Sequence, residues 1–439
     1  MCRTGLVSVS VSLACAVAAQ AADFGGLAAA QTYAAGDGPR DVTVADFNGD
    51  GVFDVASCHQ DSDDMAVFLG NSDITFGAAT FYAAENTPLS IAAADIDGDG
   101  DIDLTVANGN ATSISIYRGD GAGAFASELF NFDPNQPPFP GVLVGHRMAD
   151  YDNDGDIDMA VVSLTGTTVM ILPNDGKGNF GPLEVIDTPG GPGFPISLSQ
   201  GDFDNDGDVD LIWVTGYFLG HGPGRVLLNN GEAPWTAVML EAEADGIIYP
   251  PADFNGDGIL DLALTRTQDP DGYMLVTLGN GDGTFGAQTS YPVERPYPPT
   301  AADLNNDGNV DLVVPSFAPY HTVSVLLGHG DGTFDAALPF AAGGNNPQAP
   351  VAIDLNGDSF LDVVTANRSD NVSVLINLTL CPGDLDDDGL VTLDDLSILL
   401  SNFGTIAGAN PEDGDLDGDG DVDLTDLSIL LSNFGTSCG

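Results

Sequence analysis

Short apolar runs, cut by clusters of Gly, Asp and Asn, fill most of the chain and predict β-strands rather than helices. Val42-Thr43-Val44-Ala45 leads into one acidic cluster, and Leu312-Val313-Val314 follows another. A third run comes next, as in Leu275-Val276-Thr277-Leu278 and Val323-Ser324-Val325-Leu326-Leu327. It is succeeded by a Gly-rich hairpin and a fourth strand. The hairpins read N-D-G-K-G-N-F-G from Asn174, G-N-G-D-G-T-F-G from Gly279 and G-H-G-D-G-T-F from Gly328. Glycine there supplies the positive φ of tight turns. These turns join strands and open no helix, so they do not read as phosphate cradles.

The acidic cluster between the first and second strands recurs seven times in one register. Its positions 1, 3, 5, 7 and 9 are Asp46, Asn48, Asp50, Val52 and Asp54 in the first copy, and Asp95, Asp97, Asp99, Asp101 and Asp103 in the second. The third has Asp150, Asp152, Asp154, Asp156 and Asp158, and the fourth Asp202, Asp204, Asp206, Asp208 and Asp210. Asp253, Asn255, Asp257, Ile259 and Asp261 form the fifth; Asp303, Asn305, Asp307, Asn309 and Asp311 the sixth. The seventh is Asp354, Asn356, Asp358, Phe360 and Asp362. Side-chain oxygens at positions 1, 3, 5 and 9 suit a hard cation that takes six to eight oxygen ligands, which points to Ca2+. Position 7 can offer its backbone carbonyl, which leaves its side chain free to vary. Asp, Asn and Gly crowd surface turns for conformational reasons alone, so one copy would mean little. Seven in register mean a repeat.

Successive copies start 49, 55, 52, 51, 50 and 51 residues apart. Four strands in each period of this length predict a mainly β fold, a seven-bladed β-propeller. The ends support closure. An isolated strand-like run, Ala30-Gln31-Thr32-Tyr33-Ala34, precedes the first copy, while the last has second and third strands (361–365 and 372–376) but no fourth. The N-terminal run is expected to complete blade seven and remove the open edge.

Charge sharpens the picture. The 439 residues carry 66 acidic against 9 basic side chains, a formal charge of −57. Nucleic acid and anionic membrane surfaces are poor partners for such a chain. High net charge often means disorder, but 43% hydrophobic residues and regular strand patterns argue for folded cores. Much of the acidity is expected to be metal ligand, since 24 carboxylates occupy the side-chain ligand positions of the seven loops.

Residues 1–21 read as a secretory signal: Arg3, an apolar stretch from Leu6 to Ala18, and Ala19-Gln20-Ala21 as the cleavage site. The expectation is an exported, extracellular or cell-surface protein without a transmembrane segment in its mature form. Cys381 and Cys438 bracket the last segment and are expected to pair in an oxidising compartment. Cys58 is then an odd thiol, expected as buried filler.

With these motifs in hand, residues 22–379 resemble an FG-GAP/VCBS-type propeller, the family that includes the integrin α-subunit head and many bacterial secreted proteins. The resemblance implies structural calcium that rigidifies each blade. Ser359 stands where the loop usually has Gly, which implies weaker binding at the seventh site.

Residues 380–439 carry a second duplication. Twelve-residue loops start at Asp384 and Asp415, each followed by L-S-I-L-L-S-N-F-G-T from Leu396 and Leu427. Positions 1, 3, 5, 7, 9 and 12 are Asp384, Asp386, Asp388, Leu390, Thr392 and Asp395, then Asp415, Asp417, Asp419, Asp421, Asp423 and Asp426. They fit EF-hand-like calcium loops with Asp in place of the final Glu. Leu396, Leu399, Leu400 and Phe403 fall on one helical face, matched by Leu427, Leu430, Leu431 and Phe434, with Gly404 and Gly435 as helix stops. The duplicated loop–helix resembles a type I dockerin, a small α-helical module, which implies docking to a cohesin-like or other surface scaffold protein. Leu393-Asp394 and Leu424-Thr425 replace the Ser-Thr pair common in cellulosomal dockerins, which implies a different partner. The alternative is a small calcium-stabilised cap without a partner.

No nucleophile–base motif, zinc signature or dinucleotide fingerprint is present. The rare basic residues and several aromatics cluster in or beside the strand 2–3 and 4–1 connections, at the end away from the acidic loops. They are Arg40, Arg225, Arg266, Arg295, Arg368, His59, His221 and His321, with Tyr217, Phe218, Tyr249, Tyr297, Phe317 and Tyr320. Such a set suits anionic or sugar ligands, and variable loops also collect unusual residues without any ligand. The expected function is extracellular recognition or adhesion toward a polysaccharide, glycoprotein or protein. A polysaccharide lyase or glycoside hydrolase using that face is the alternative, and a plain structural spacer a third.

Overall fold

The computed structural model describes residues 24–379 apart from 112, 133–141, 164–168, 187–193, 218–219, 232–234, 241–250 and 267–271. It further describes 383–386, 391–406, 408–409, 413–416, 420–432 and 434–435. The expected signal segment and both Cys381 and Cys438 lie outside the described residues. The chain divides into two compact units, Phe24–Thr379 and a C-terminal unit over Leu380–Gly439.

The first unit is a ring of seven antiparallel sheets. After β1 (Gln31–Ala34), blade one comprises β2 (Pro39–Ala45), β3 (Asp54–His59), β4 (Asp64–Phe68) and β5 (Thr80–Ala83). Blades two to six span 88–131, 143–186, 194–240, 252–292 and 300–341. In blade five, a single Ala252–Asp261 bridge marks the first-strand position, since 241–250 lie outside the described residues. β1 pairs antiparallel with the last strand, Asn371–Leu375, with Gln31 opposite Val374 and Ala34 opposite Asn371. The N-terminal strand thus completes blade seven as its outer, fourth strand.

Burial follows radial position. β3 is buried at every residue, whereas β5 shows the exposed–exposed–intermediate–exposed pattern of an outer strand. Among the described residues, first strands of blades one to four touch in turn, as do those of blades six and seven and of seven and one. The core is not inside blades but between them, in seven clusters that each draw on two neighbours. Phe47, Met65 and Val67 of blade one meet Leu104, Val106 and Tyr117 of blade two. Val364 and Val372 of blade seven meet Val42 and Phe68 of blade one, closing the ring by burial as well as by pairing. Cys58 belongs to one of these clusters and is buried. A single blade could not bury its own faces, and this is why the period repeats.

The C-terminal unit holds two short helices, α1 (Leu393–Asn402) and α2 (Leu424–Ser432), around Val391, Leu399, Val422 and Leu430. Thr392 caps α1, accepting from the Asp394 amide, while Asp395 reaches back to the Thr392 amide. The halves interlock reciprocally: the Gly404 amide donates to Val422 O and the Gly435 amide to Val391 O, each at 2.8 Å. Of the expected apolar face, Leu399 and Leu430 are buried, whereas Leu400, Phe403, Leu431 and Phe434 are exposed. Among the described residues no helix is long and apolar enough to cross a membrane.

Candidate functional site

In each acidic loop the position-1 carboxylate is turned inward and gathers loop amides. Asp46 accepts from Gly49, Asp50 and Gly51, and Asp253 repeats the pattern with Gly256, Asp257 and Gly258. This wrap requires left-handed backbone at positions 4 and 6. Position 4 is Gly or Asn throughout, for example Asn153 at φ +61° and Asn306 at +53°. Position 6 is Gly except for Ser359, which adopts φ +68° and still donates its amide to Asp354 at 3.0 Å. The seventh loop therefore keeps its shape despite the substitution, at a conformational cost.

Two kinds of loop emerge. With Asn at position 3 the loop satisfies itself: Asn48 Nδ2 donates to Asp50 at 3.0 Å, and Asn255 does the same to Asp257. With Asp there, carboxylates face one another. Oxygens of Asp95, Asp97 and Asp99, of Asp150, Asp152 and Asp158, and of Asp202, Asp204 and Asp206 lie within 4.8 Å of one another. Asp97 Oδ1 and Asp204 Oδ1 are buried with no hydrogen-bond partner. Burial, and then the neighbouring Asp154 and Asp206 charges, push Asp152 and Asp204 above the ordinary carboxylate range. Unpartnered, buried, like-charged oxygens fit a hard divalent cation such as Ca2+. Such an ion would supply the positive charge that these groups otherwise share only with protons. At loop two part of that charge comes from Arg118, 3.2 Å from Asp103 and 3.6 Å from Asp97.

Position 9 does more than the sequence suggests. In every blade this Asp is buried and staples two backbone amides, one from loop position 2 and one from the end of the third strand. Asp54 accepts from Phe47 and Gly70, Asp210 from Phe203 and Asn229, and Asp362 from Leu355 and Asn377, at 2.7–3.0 Å. Burial pushes these carboxyls up, to about 6 at Asp158 and Asp261 and about 7 at Asp210, Asp311 and Asp362. The carbonyl of position 2 is bonded in turn by the next blade. Asn174, Asn229 and Asn377 reach it with Nδ2, at Ile96, Tyr151 and Leu304. Where that strand end is Gly, a hairpin amide takes over: Gly123 donates to Phe47, Gly283 to Phe203 and Gly332 to Phe254. Phe47, Phe203 and Phe254 also pack edge-on against Phe125, Phe285 and Phe334 of the same hairpins. The hairpin motif G-x-G-x-F was a signal for this linkage, beyond its turn chemistry.

In the C-terminal unit, oxygens of Asp384, Asp386 and Asp395 lie within 4.8 Å of one another, as do those of Asp421, Asp423 and Asp426. Asp395 and Asp426 are buried and accept the Leu385 and Leu416 amides. Asp388, Leu390, Asp417 and Asp419 lie outside the described residues.

At the opposite end of the propeller the expected ligand residues do not converge as a set. Arg225 is a correction: it lies inside a strand, Gly220–Leu228, 5% exposed and donating to Gly224 O, because blade four's second and third strands run longer than their apolar cores. Tyr217 and His221 sit on those same strands, opposite Gly220 and Gly216. Arg266 ends a strand opposite Tyr273. Arg295 donates to Ala318 O, His321 Nδ1 accepts the Asn346 amide, and Tyr320 is exposed. Arg368 bridges blades seven and one through Gln60 and Asp61. Tyr297 stacks near Phe317 and lies under Arg40, 5.7 Å from guanidinium to ring centroid. Phe218 and Tyr249 lie outside the described residues. Sequence reasoning passed over Arg147, which lines the axial channel with Arg40. Its place in a first strand, three residues before Asp150, was the available signal.

One chain of groups has the outline of a hydrolase triad: Ser57 Oγ is 2.8 Å from His59 Nε2, and His59 Nδ1 is 2.6 Å from Asp64. Ser57 and His59 are fully buried, and a side-chain carbon on Gly36 would strike His59 and Asp64. No substrate reaches that hydroxyl, and the network ties β3 to β4.

Comparison with family models matches the FG-GAP-like repeat over residues 46–106, 95–161, 150–213 and 253–314. No curated protein matches the chain. Among solved structures, BBS1N in complex with ARL6DN, soaked with mercury, is similar at TM-score 0.57 and 16% identity, covering 80% of this chain and 96% of that one. The lead-soaked form gives 0.56 and 15%, over 80% and 97%. An Agrocybe aegerita lectin recognising non-reducing terminal N-acetylglucosamine gives 0.44 and 19%, over 80% and 94%. The two likenesses above a TM-score of 0.5 concern the fold alone. The matched repeats cover more than half of the 439 residues, and the chain belongs to the FG-GAP-like repeat family.

Proposed function

We propose that this protein is a secreted, calcium-stabilised recognition propeller, held on a surface or in an extracellular complex by a dockerin-like C-terminal module. The observation that carries the calcium reading is the pair of buried, unpartnered oxygens on Asp97 and Asp204, each inside a cluster of carboxylates. Calcium in those loops would join first and second strands at one end of their blades and leave the other end for ligand. The exposed, duplicated pairs Leu400/Phe403 and Leu431/Phe434 support attachment to a scaffold protein, cohesin-like or otherwise. The fold is a general ligand-binding scaffold, and polysaccharide or glycoprotein is the ligand class this reading favours.

Incubating the calcium-loaded protein with acidic and neutral polysaccharides tests it. Co-sedimentation without released reducing or unsaturated ends is the expected result. Released products that vanish on altering the loop-free end would make the propeller a carbohydrate-active enzyme and overturn the binding role.

A further inference from the structure

The described first strands line a channel, and its loop-free mouth opens into a cavity of about 80 Å3. In a chain of formal charge −57, this cavity is lined by two of the nine basic residues, Arg40 and Arg147, against one carboxylate, Asp41. Asp41 is buried, and both its oxygens accept backbone amides, from Val42 and Ile91. The described lining therefore keeps one formal positive charge.

Arg40 is placed there by the backbone. Register shifts between Pro39 and Asp41, so Arg40 sits in a β-bulge at the start of β2. Bulges re-aim side chains. Equivalent shifts occur at Leu89 and Val144 in blades two and three, and both line the same cavity. In the adjacent blade seven the register shifts again after Gln348, and Ala349 takes the left-handed φ of +46°, a strained state for alanine.

The guanidinium of Arg40 donates to Gln348 Oε1 at 2.8 Å and lies over the Tyr297 ring. That bond fixes which way the Gln348 amide faces. Gln348 is fully buried, lines the cavity, and its Nε2 meets no acceptor. A buried donor left without an acceptor is destabilising, and a ligand oxygen would relieve it. Guanidinium and amide N–H groups side by side, with one net positive charge, match a planar anion with two acceptor oxygens.

We propose that the loop-free mouth of the central channel binds a carboxylate group, held by Arg40 and the amide of Gln348. This deepens the recognition reading and rests on it: an acidic sugar or small organic acid is the ligand class. The test is calorimetric titration of the calcium-loaded full chain with glucuronate, acetate, glucose and inorganic phosphate. Glucuronate and acetate should bind saturably, with glucose and phosphate at least about tenfold weaker. Arg40→Gln and, separately, the isosteric Gln348→Met should each weaken glucuronate by about tenfold or more. Gln348→Met removes no charge and is the control should Arg40→Gln fail to fold. No saturable carboxylate binding by the folded chain, or glucose or phosphate binding as tightly, would overturn the proposal. So would unchanged affinity in folded Gln348→Met. Polysaccharide retention alongside such a failure would leave the broader recognition reading standing.

Discussion

Asn377 reaches from the last blade to the carbonyl of Leu304, 73 residues earlier, with an Nδ2–O distance of 2.7 Å. Its own amide donates to Asp362, and its Nδ2 also approaches Leu361 O at 3.1 Å. One side chain thereby joins the sixth acidic loop to the blade that closes the ring.

Asn377→Leu is expected to lower stability by about 1–3 kcal/mol, because it leaves the buried Leu304 carbonyl without its donor. Urea melts of the full chain would measure this. Asn174→Leu should behave alike through Ile96, since the same bond recurs there at 2.7 Å.

Ser359→Gly should stabilise the protein by about 1 kcal/mol, because Ser holds a left-handed φ that Gly adopts freely. An alanine at Gly308 should show the mirror effect. Space there is open, so only backbone conformation is tested. Paired thermal melts read both.

Asp204→Asn should change sign with metal. In chelator it removes one of three crowded carboxylates and should raise the melting temperature; in calcium it removes a ligand charge and should lower it. A shift in one direction under both conditions would contradict the metal reading of this loop.

The position-9 carboxyls give a pH dependence with a definite sign. Burial raises them to about 6 at Asp158 and Asp261 and about 7 at Asp210, Asp311 and Asp362, from an unfolded value of about 3.9. A raised folded value means that their contribution is fully present below the unfolded value and is lost as pH rises through about 6–7. Metal-free protein should therefore melt at higher temperature at pH 5.5 than at pH 8. Calcium should flatten or reverse that slope by replacing the proton.

The repeat, the strand order and the closing role of Gln31–Ala34 were legible because each rests on local pattern recurring at one period. The links between blades were not. Asn174, Asn229 and Asn377 look in sequence like ordinary turn residues, and only the neighbouring blade gives their amides a partner. Arg225 was expected in or beside a connection, but it lies on a strand whose Gly220 and Gly224 pair with Tyr217 and Val214. Arg147 was passed over although its place in a first strand was legible, because only the assembled ring shows that this position lines the channel.

The most direct test of the account is calorimetric melting of the metal-stripped chain, with and without excess calcium, at pH 8. The account predicts a markedly higher melting temperature for the propeller with calcium, accompanied by measurable bound calcium. An unchanged melting temperature with no calcium bound would show that the seven acidic loops hold themselves together without an ion, and the calcium reading would fail.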